Sequence, residues 1–172
     1  MAARPSRALF ARRRGTRLYG RAPENERIID YVPDVRFKRE SVISGMRLNG
    51  IIAPLMFKGT LNGDIFKAYI KECLAPNLRP GNIIIMDSLS AHKVKGALEP
   101  IYEKGALVFF QPKYSPDLNP IEKAWSKMKA ILRKLKPRTN DELLAAMKIA
   151  LDSISALDIK GWFSCAGYIV NA

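Results

Sequence analysis

The stretch NIIIMDSLSAHKVKGALEPIYEKGALVFF, residues 82–110, decides the fold. It opens on a strand-sized apolar run that ends at Asp87. Its middle predicts a helix over 93–104, closed by Gly105, and it ends on a second apolar run at 106–110. Short unbroken apolar runs bounded by turn signals read as buried strands, and strand, helix, strand in that order implies a parallel crossover.

Upstream, 41–48 and 51–57 read as two strands of an antiparallel hairpin joined across Asn49-Gly50, and 26–31 reads as a further strand. Asn62 is placed to cap a helix in which Ile65, Phe66, Tyr69, Ile70, Cys73 and Leu74 recur at helical spacing, until Pro76 and Pro80 stop it. Downstream the chain reads as helical. One helix runs from Pro120 to about Lys136, a second is opened by the Thr139 to Glu142 capping box, and a short third covers 159–168. The order predicts an α/β domain: a mixed sheet flanked by helices on both faces.

With 172 residues, 48% of them hydrophobic, the chain is long enough for one domain with a real core. Its net charge of +13 favours a polyanionic partner such as DNA or RNA. The apolar runs are too short for a bilayer span and the N-terminus does not read as a signal peptide, so the expectation is a cytoplasmic protein without a membrane partner. Cys73 and Cys165 have no CxxC partner and the chain has a single His, which argues against a zinc site.

Two acids hold telling places in this frame. Asp87 ends the first buried strand, at the edge where open α/β sheets bind ligands. Glu122 begins the helix that follows the second strand, behind the proline-rich loop SPDLNP, so one helix, one strand and one loop return the chain to the same edge. Two carboxylates brought together call for a divalent cation with hard-oxygen ligands, Mg²⁺ or Mn²⁺. On α-helical geometry Glu122, Ser126, Lys129 and Arg133 form one stripe beside an apolar face, so the carboxylate heads a basic track suited to phosphodiester chemistry. A plainer reading also stands: Glu122 supports the helix dipole and the basic stripe is solvated.

From Arg17 onward the chain resembles the DDE endonuclease domain of bacterial insertion-sequence transposases of the mariner superfamily. The resemblance is carried by RLYGRAPENER, by GDIFKAYIKECLAPNLRPGNIIIMDSLSAHK, above all by FQPKYSPDLNPIEKAWSKMKAILRK, and by WFSCAGY near the end. It implies a ribonuclease-H-like fold, with Asp87 and Glu122 as the second and third catalytic, metal-binding acids. It also implies Mg²⁺ or Mn²⁺ as cofactor and transposon-end and target DNA as partners, in a bacterial cytoplasm. The function it implies is metal-dependent DNA strand cleavage and transfer.

One departure weighs against these agreements. The family's first acid falls near Arg7, within SRALFARRRG, and the sequence has no carboxylate before Glu24. The expectation is a first, central strand that is missing or degenerate, a basic arm over 1–16 that is foreign to the family, and a catalytic domain over 17–172. Such a chain is inactive alone. It is either a DDE domain that depends on a full-length transposase subunit or on an upstream-frame product, or a non-catalytic DNA-binding remnant. In a second reading of the arm, ALFA at residues 8–11 serves as a substitute strand.

Other residues stand between two readings. His92 either touches DNA, orients the metal site, or simply caps the next helix. Lys93 and Lys113 are candidates for phosphate contact, as Lys129 and Arg133 are, while Ser88 occupies a place where the family usually has Asn. Trp125 falls on the apolar side of its helix and reads as core rather than as a base-stacking platform.

Overall fold

The computed structural model describes residues 2–3, 6–10, 40–112 and 115–169. Strands β3 (Glu40–Arg47) and β4 (Gly50–Lys58) form the expected hairpin, with Arg47 opposite Gly50. The two-residue turn is Leu48-Asn49, one position earlier than the Asn-Gly signal suggests. Gly50 is the residue that takes positive φ, at 148°, and it does so as the first residue of β4. Further along, Ile43 faces Leu55 while Gly45 faces Ile52, so Ser44 alone opposes Ala53 and Pro54. This bulge puts Ala53 at φ 49°, in the left-handed region. It also accommodates Pro54, which has no amide hydrogen to donate and lies in the outermost strand of its sheet.

Near the N-terminus, Ala2–Ala3 form β1 and Ser6–Phe10 form β2. β1 runs parallel to β5 (Ile83–Met86), and β2 runs antiparallel to β3. Where the sequence predicts a first strand that is missing or degenerate, the described residues thus hold two short strand pieces, β1 in the sheet β1-β5-β6 and β2 in the sheet β2-β3-β4. Of ALFA at 8–11, Ala8, Leu9 and Phe10 stand opposite Val42, Ser41 and Glu40, and Ala11 lies outside the described residues. The strand expected over 26–31 and the remainder of the arm lie outside the described residues.

Asn62 caps α1 (Gly63–Ala68), its side-chain oxygen accepting from the Ile65 amide at 2.8 Å. A cap of this kind is worth about 1 kcal/mol. The helix continues as wider π-type turns over Tyr69–Leu74 and ends in a single 3₁₀ turn at Ala75–Asn77, where Pro76 prevents continuation. The helix expected over 93–104 shrinks to α2 (Glu99–Glu103). Val94 is extended and Gly96 sits at φ 77°, so helical geometry begins only beyond them, with Pro100 in the first turn where its missing N–H costs nothing. Gly105 closes α2 at φ 68°, as expected.

β6 (Leu107–Phe110) pairs in parallel with β5, which confirms the crossover. It is not the doubly buried strand that its composition predicts. Leu107 and Phe109 are 54% and 55% exposed, and Ile83 of β5 is also exposed. Only the opposite face, with Ile84 and Met86, is buried.

α3 (Ile121–Leu135) ends at Lys136, which adopts the left-handed conformation with φ 47°. α4 (Asn140–Asp152) carries the complete Thr139–Glu142 capping box. α5 (Ala156–Cys165) starts three residues earlier than expected, because Ser155 and Asp158 form a second capping box. Two apolar clusters cover the sheet. Val42 and Met46 pack with α3, α4 and α5 through Trp125, Met128, Met147 and Phe163. Ile43 packs on the other side with α1, its π-type turns, β5 and α2 through Phe66, Tyr69, Ile84 and Ile101. Alternate residues of β3 thus serve opposite layers, as the period of two along a strand requires.

Candidate functional site

Asp87 follows the last residue of β5, and its side chain is half exposed. The chain turns back at once into a 3₁₀ segment, Ser90–Lys93, which brings His92 beneath it. Nδ1 of His92 lies 2.7 Å from Oδ1 of Asp87 and 3.1 Å from its main-chain oxygen. With two acceptors facing Nδ1, that nitrogen carries the proton and donates. The ring is only 1% exposed, is packed against Phe66 at 4.3 Å between centroids, and leaves Nε2 buried without a hydrogen-bond partner. Burial pushes the Asp87 carboxyl up. The hydrogen bond and charge of His92 and the Leu89 amide pull it down and prevail, so it lies below the usual carboxylate range.

A relay of hydrogen bonds connects this turn to the start of α3. Gln111, the residue after β6, donates its amide to the Met86 carbonyl at 2.8 Å and accepts from Ser88 Oγ at 3.1 Å. Its side chain donates to the Leu118 carbonyl at 2.9 Å. Leu118 closes the 3₁₀ turn Pro116–Leu118, and the Glu122 amide donates to the Asn119 carbonyl at 3.1 Å. Asn119 is buried, and its side-chain oxygen has no partner. The proline-rich loop is therefore tied to the turn that carries Asp87, and it delivers an exposed Glu122 into the first turn of α3. Gln111 is the knot of this arrangement. Its only signal in the sequence is a polar residue ending an apolar strand.

The remaining candidates divide among several environments. Lys93 stands next to His92 with Nζ 5.4 Å from the centre of the Phe110 ring. Lys129 and Arg133 lie along α3, both partly exposed. Lys113 lies outside the described residues. His92 is turned inward, with Nδ1 bonded to Asp87 and its ring 1% exposed. Trp125 is 1% exposed and belongs to the core. Among the described residues no group of three His, Cys, Asp or Glu side chains comes together to hold a metal.

The family model for the DDE superfamily endonuclease matches residues 10–144. The chain belongs to that superfamily. Its fold is the ribonuclease-H-like one of mariner transposase catalytic domains. The Mos1 mariner paired-end complex with Mg aligns over 96% of this chain and 53% of its own, at 14% identity and a TM-score of 0.74. The Mos1 transposase paired-end complex with left transposon end aligns over 96% and 54%, at 12% identity and a TM-score of 0.70. The isolated Mos1 catalytic domain aligns over 96% and 80%, at 12% identity and a TM-score of 0.64. At such identities the likeness is one of fold, and this DDE chain spans about half the length of the transposase chains in those complexes. No curated protein matches it by sequence.

Proposed function

We propose that this DDE domain binds DNA and supplies two of the three acids, Asp87 and Glu122, of a transposase strand-cleavage and strand-transfer site, and that it does not cut DNA by itself. The observation that carries this reading is the pairing of two facts. The hydrogen-bond relay through Gln111 ties the turns bearing Asp87 and Glu122 to each other, while the strand pieces β1 and β2 beside them contain no Asp or Glu.

A divalent ion such as Mg²⁺ or Mn²⁺ is the natural ligand for such acids, and Mos1 complexes have been solved with both. Among the described residues no three-ligand cluster completes a site for it, and the stretch before Glu24 has no carboxylate. What this chain's own groups do is clearer. His92 orients Asp87, Gln111 and Asn119 position the turn that leads to Glu122, and the basic side chains of α3 attract the DNA backbone. The missing carboxylate comes from a partner, either a full-length transposase subunit or the product of an upstream frame.

A nicking assay on supercoiled DNA tests this reading. The purified chain with Mg²⁺ or Mn²⁺ leaves the plasmid intact, and co-purification with the partner product restores nicking that Asp87→Ala abolishes. Nicking by the chain alone that Asp87→Ala abolishes counts against the proposal. A second reading, a non-catalytic DNA-binding remnant, rests on the stretch before Glu24 having no carboxylate. That reading gains if no partner product restores cleavage while salt-sensitive duplex binding persists.

A further inference from the structure

The carboxyl end of β6 carries an aromatic ring that the core does not absorb. Phe110 is 40% exposed and stands level with Met86 in the parallel ladder, so its ring lies one residue from Asp87 along the sheet. The Lys93 ammonium is 5.4 Å from the centre of that ring, and Lys93 directly follows His92, whose own ring is bonded to Asp87. An accessible aromatic ring and a cation are thus fixed beside the half-exposed carboxylate by two short, hydrogen-bonded connections. The other large aromatic in the neighbouring helix, Trp125, is buried and cannot take this part.

We propose that Phe110 and Lys93 form a subsite for one unpaired nucleotide of DNA, a proposal that rests on the DNA-binding reading above. The base stacks on Phe110, and Lys93 leaves the ring face for the nucleotide's phosphate. Stacking on an aromatic side chain tolerates any base, because every base has a π face, and a lysine tracks the backbone without reading sequence. The chemistry specifies an unpaired nucleotide. Within a duplex both faces of a base are covered by its neighbours, so a phenylalanine at the sheet edge reaches only a base that is flipped out or frayed. The net charge of +13 supplies the attraction that brings the polyanion to this edge.

The test uses the full chain with two DNAs of the same sequence. One is a blunt duplex; the other has a short single-stranded 3′ overhang containing 2-aminopurine. Phe110→Leu keeps the bulk and removes the aromatic face. It should weaken overhang binding roughly tenfold, within the range seen when stacking platforms are removed, and leave blunt-duplex binding within about twofold. Phe110→Trp should preserve overhang affinity and the quenching of 2-aminopurine, and Lys93→Gln should lower the overhang's salt dependence. An equal effect of Phe110→Leu on both DNAs, or none, overturns the subsite. If leucine disturbs folding, quenching retained by Phe110→Trp supports the proposal and quenching lost refutes it. Should the wild-type chain bind neither DNA, the DNA-binding reading falls as well. If it binds the blunt duplex with no preference for the overhang, the subsite alone falls.

Discussion

His92 Nδ1 and Asp87 Oδ1 are 2.7 Å apart, and only the carboxylate of the pair meets solvent. The imidazole is a buried prop and the carboxylate is the presented group. Replacing His92 by Ala removes a packed ring from beside Phe66 and should cost about 2–3 kcal/mol of stability. His92→Leu fills most of that space and removes only the donor to a carboxylate that water can reach, so about 1 kcal/mol is expected. Urea unfolding of the two variants separates packing from hydrogen bonding, and equal losses would assign the whole effect to packing.

Acid sensitivity should arise at an ion pair between α3 and the start of α5. Lys127 Nζ lies 2.6 Å from Asp158 Oδ2 and 2.8 Å from the Ser153 carbonyl, linking α3 to the start of α5. The Lys127 hydrogen bond, followed by those from Ser155, lowers the Asp158 carboxyl from 3.8 to about 2. A depressed folded-state value stabilises the native state above the unfolded value, and that contribution disappears as pH falls from about 4 toward 2. The pair is partly exposed, so solvent screening keeps the effect modest. Asp158→Asn should flatten this part of the stability curve measured by thermal unfolding, while leaving a slope due to other carboxyls.

Ala53 occupies the left-handed region at φ 49° in the β4 bulge. An L-residue there costs about 1–2 kcal/mol, part of which glycine returns as unfolded-state entropy. Ala53→Gly should therefore stabilise the chain by about 0.5 kcal/mol, visible as a rise in Tm. A fall in Tm would mean that the alanine methyl packs well enough to outweigh the strain.

Lys129 and Arg133 lie on α3 downstream of Glu122. If they contact phosphates, Lys129→Gln and Arg133→Gln should each reduce the salt dependence of duplex binding by about one unit in the log–log slope, whatever the DNA sequence. An unchanged slope would leave the stripe as a solvated helix face.

Ala3 stands opposite Ile84 in β5, and Ser6 stands opposite Ser44 in β3. Counted from the Ala3–Ile84 pair, Ser6 corresponds in number to Asp87. An acid introduced there, as Ser6→Asp or Arg7→Asp, should create Mn²⁺ binding detectable by calorimetry in at least one of the two variants. A further Asp87→Ala change should abolish it. No binding in either variant would show that the start of β2 cannot present a third ligand.

Much of the site was legible in the residues. Asp87 could be placed because an apolar run ended on it, and Glu122 because Pro-Ile-Glu opens a helix. The Gln111 relay was not legible, since a hydrogen bond between residues distant in sequence leaves no periodic trace. Nor was the inward turn of His92. A lone histidine before a helix looks the same whether it faces DNA or a carboxylate, and burial alone distinguishes the two.

Elements whose causes are local can be read from the residues alone. Asn62 and Thr139 cap their helices, Gly105 ends α2, and the apolar periodicity of α3 selects its buried face, because capping and amphipathicity act within a few residues. Only the tertiary structure decided which strands are covered and which groups meet. LVFF is as apolar as a doubly buried strand, yet it lies at the edge of its sheet with Leu107 and Phe109 open, because burial depends on which elements pack over a face and no strand encodes that alone. β1 and β2 belong with these cases: they pair with β5 and β3, partners supplied by distant parts of the chain.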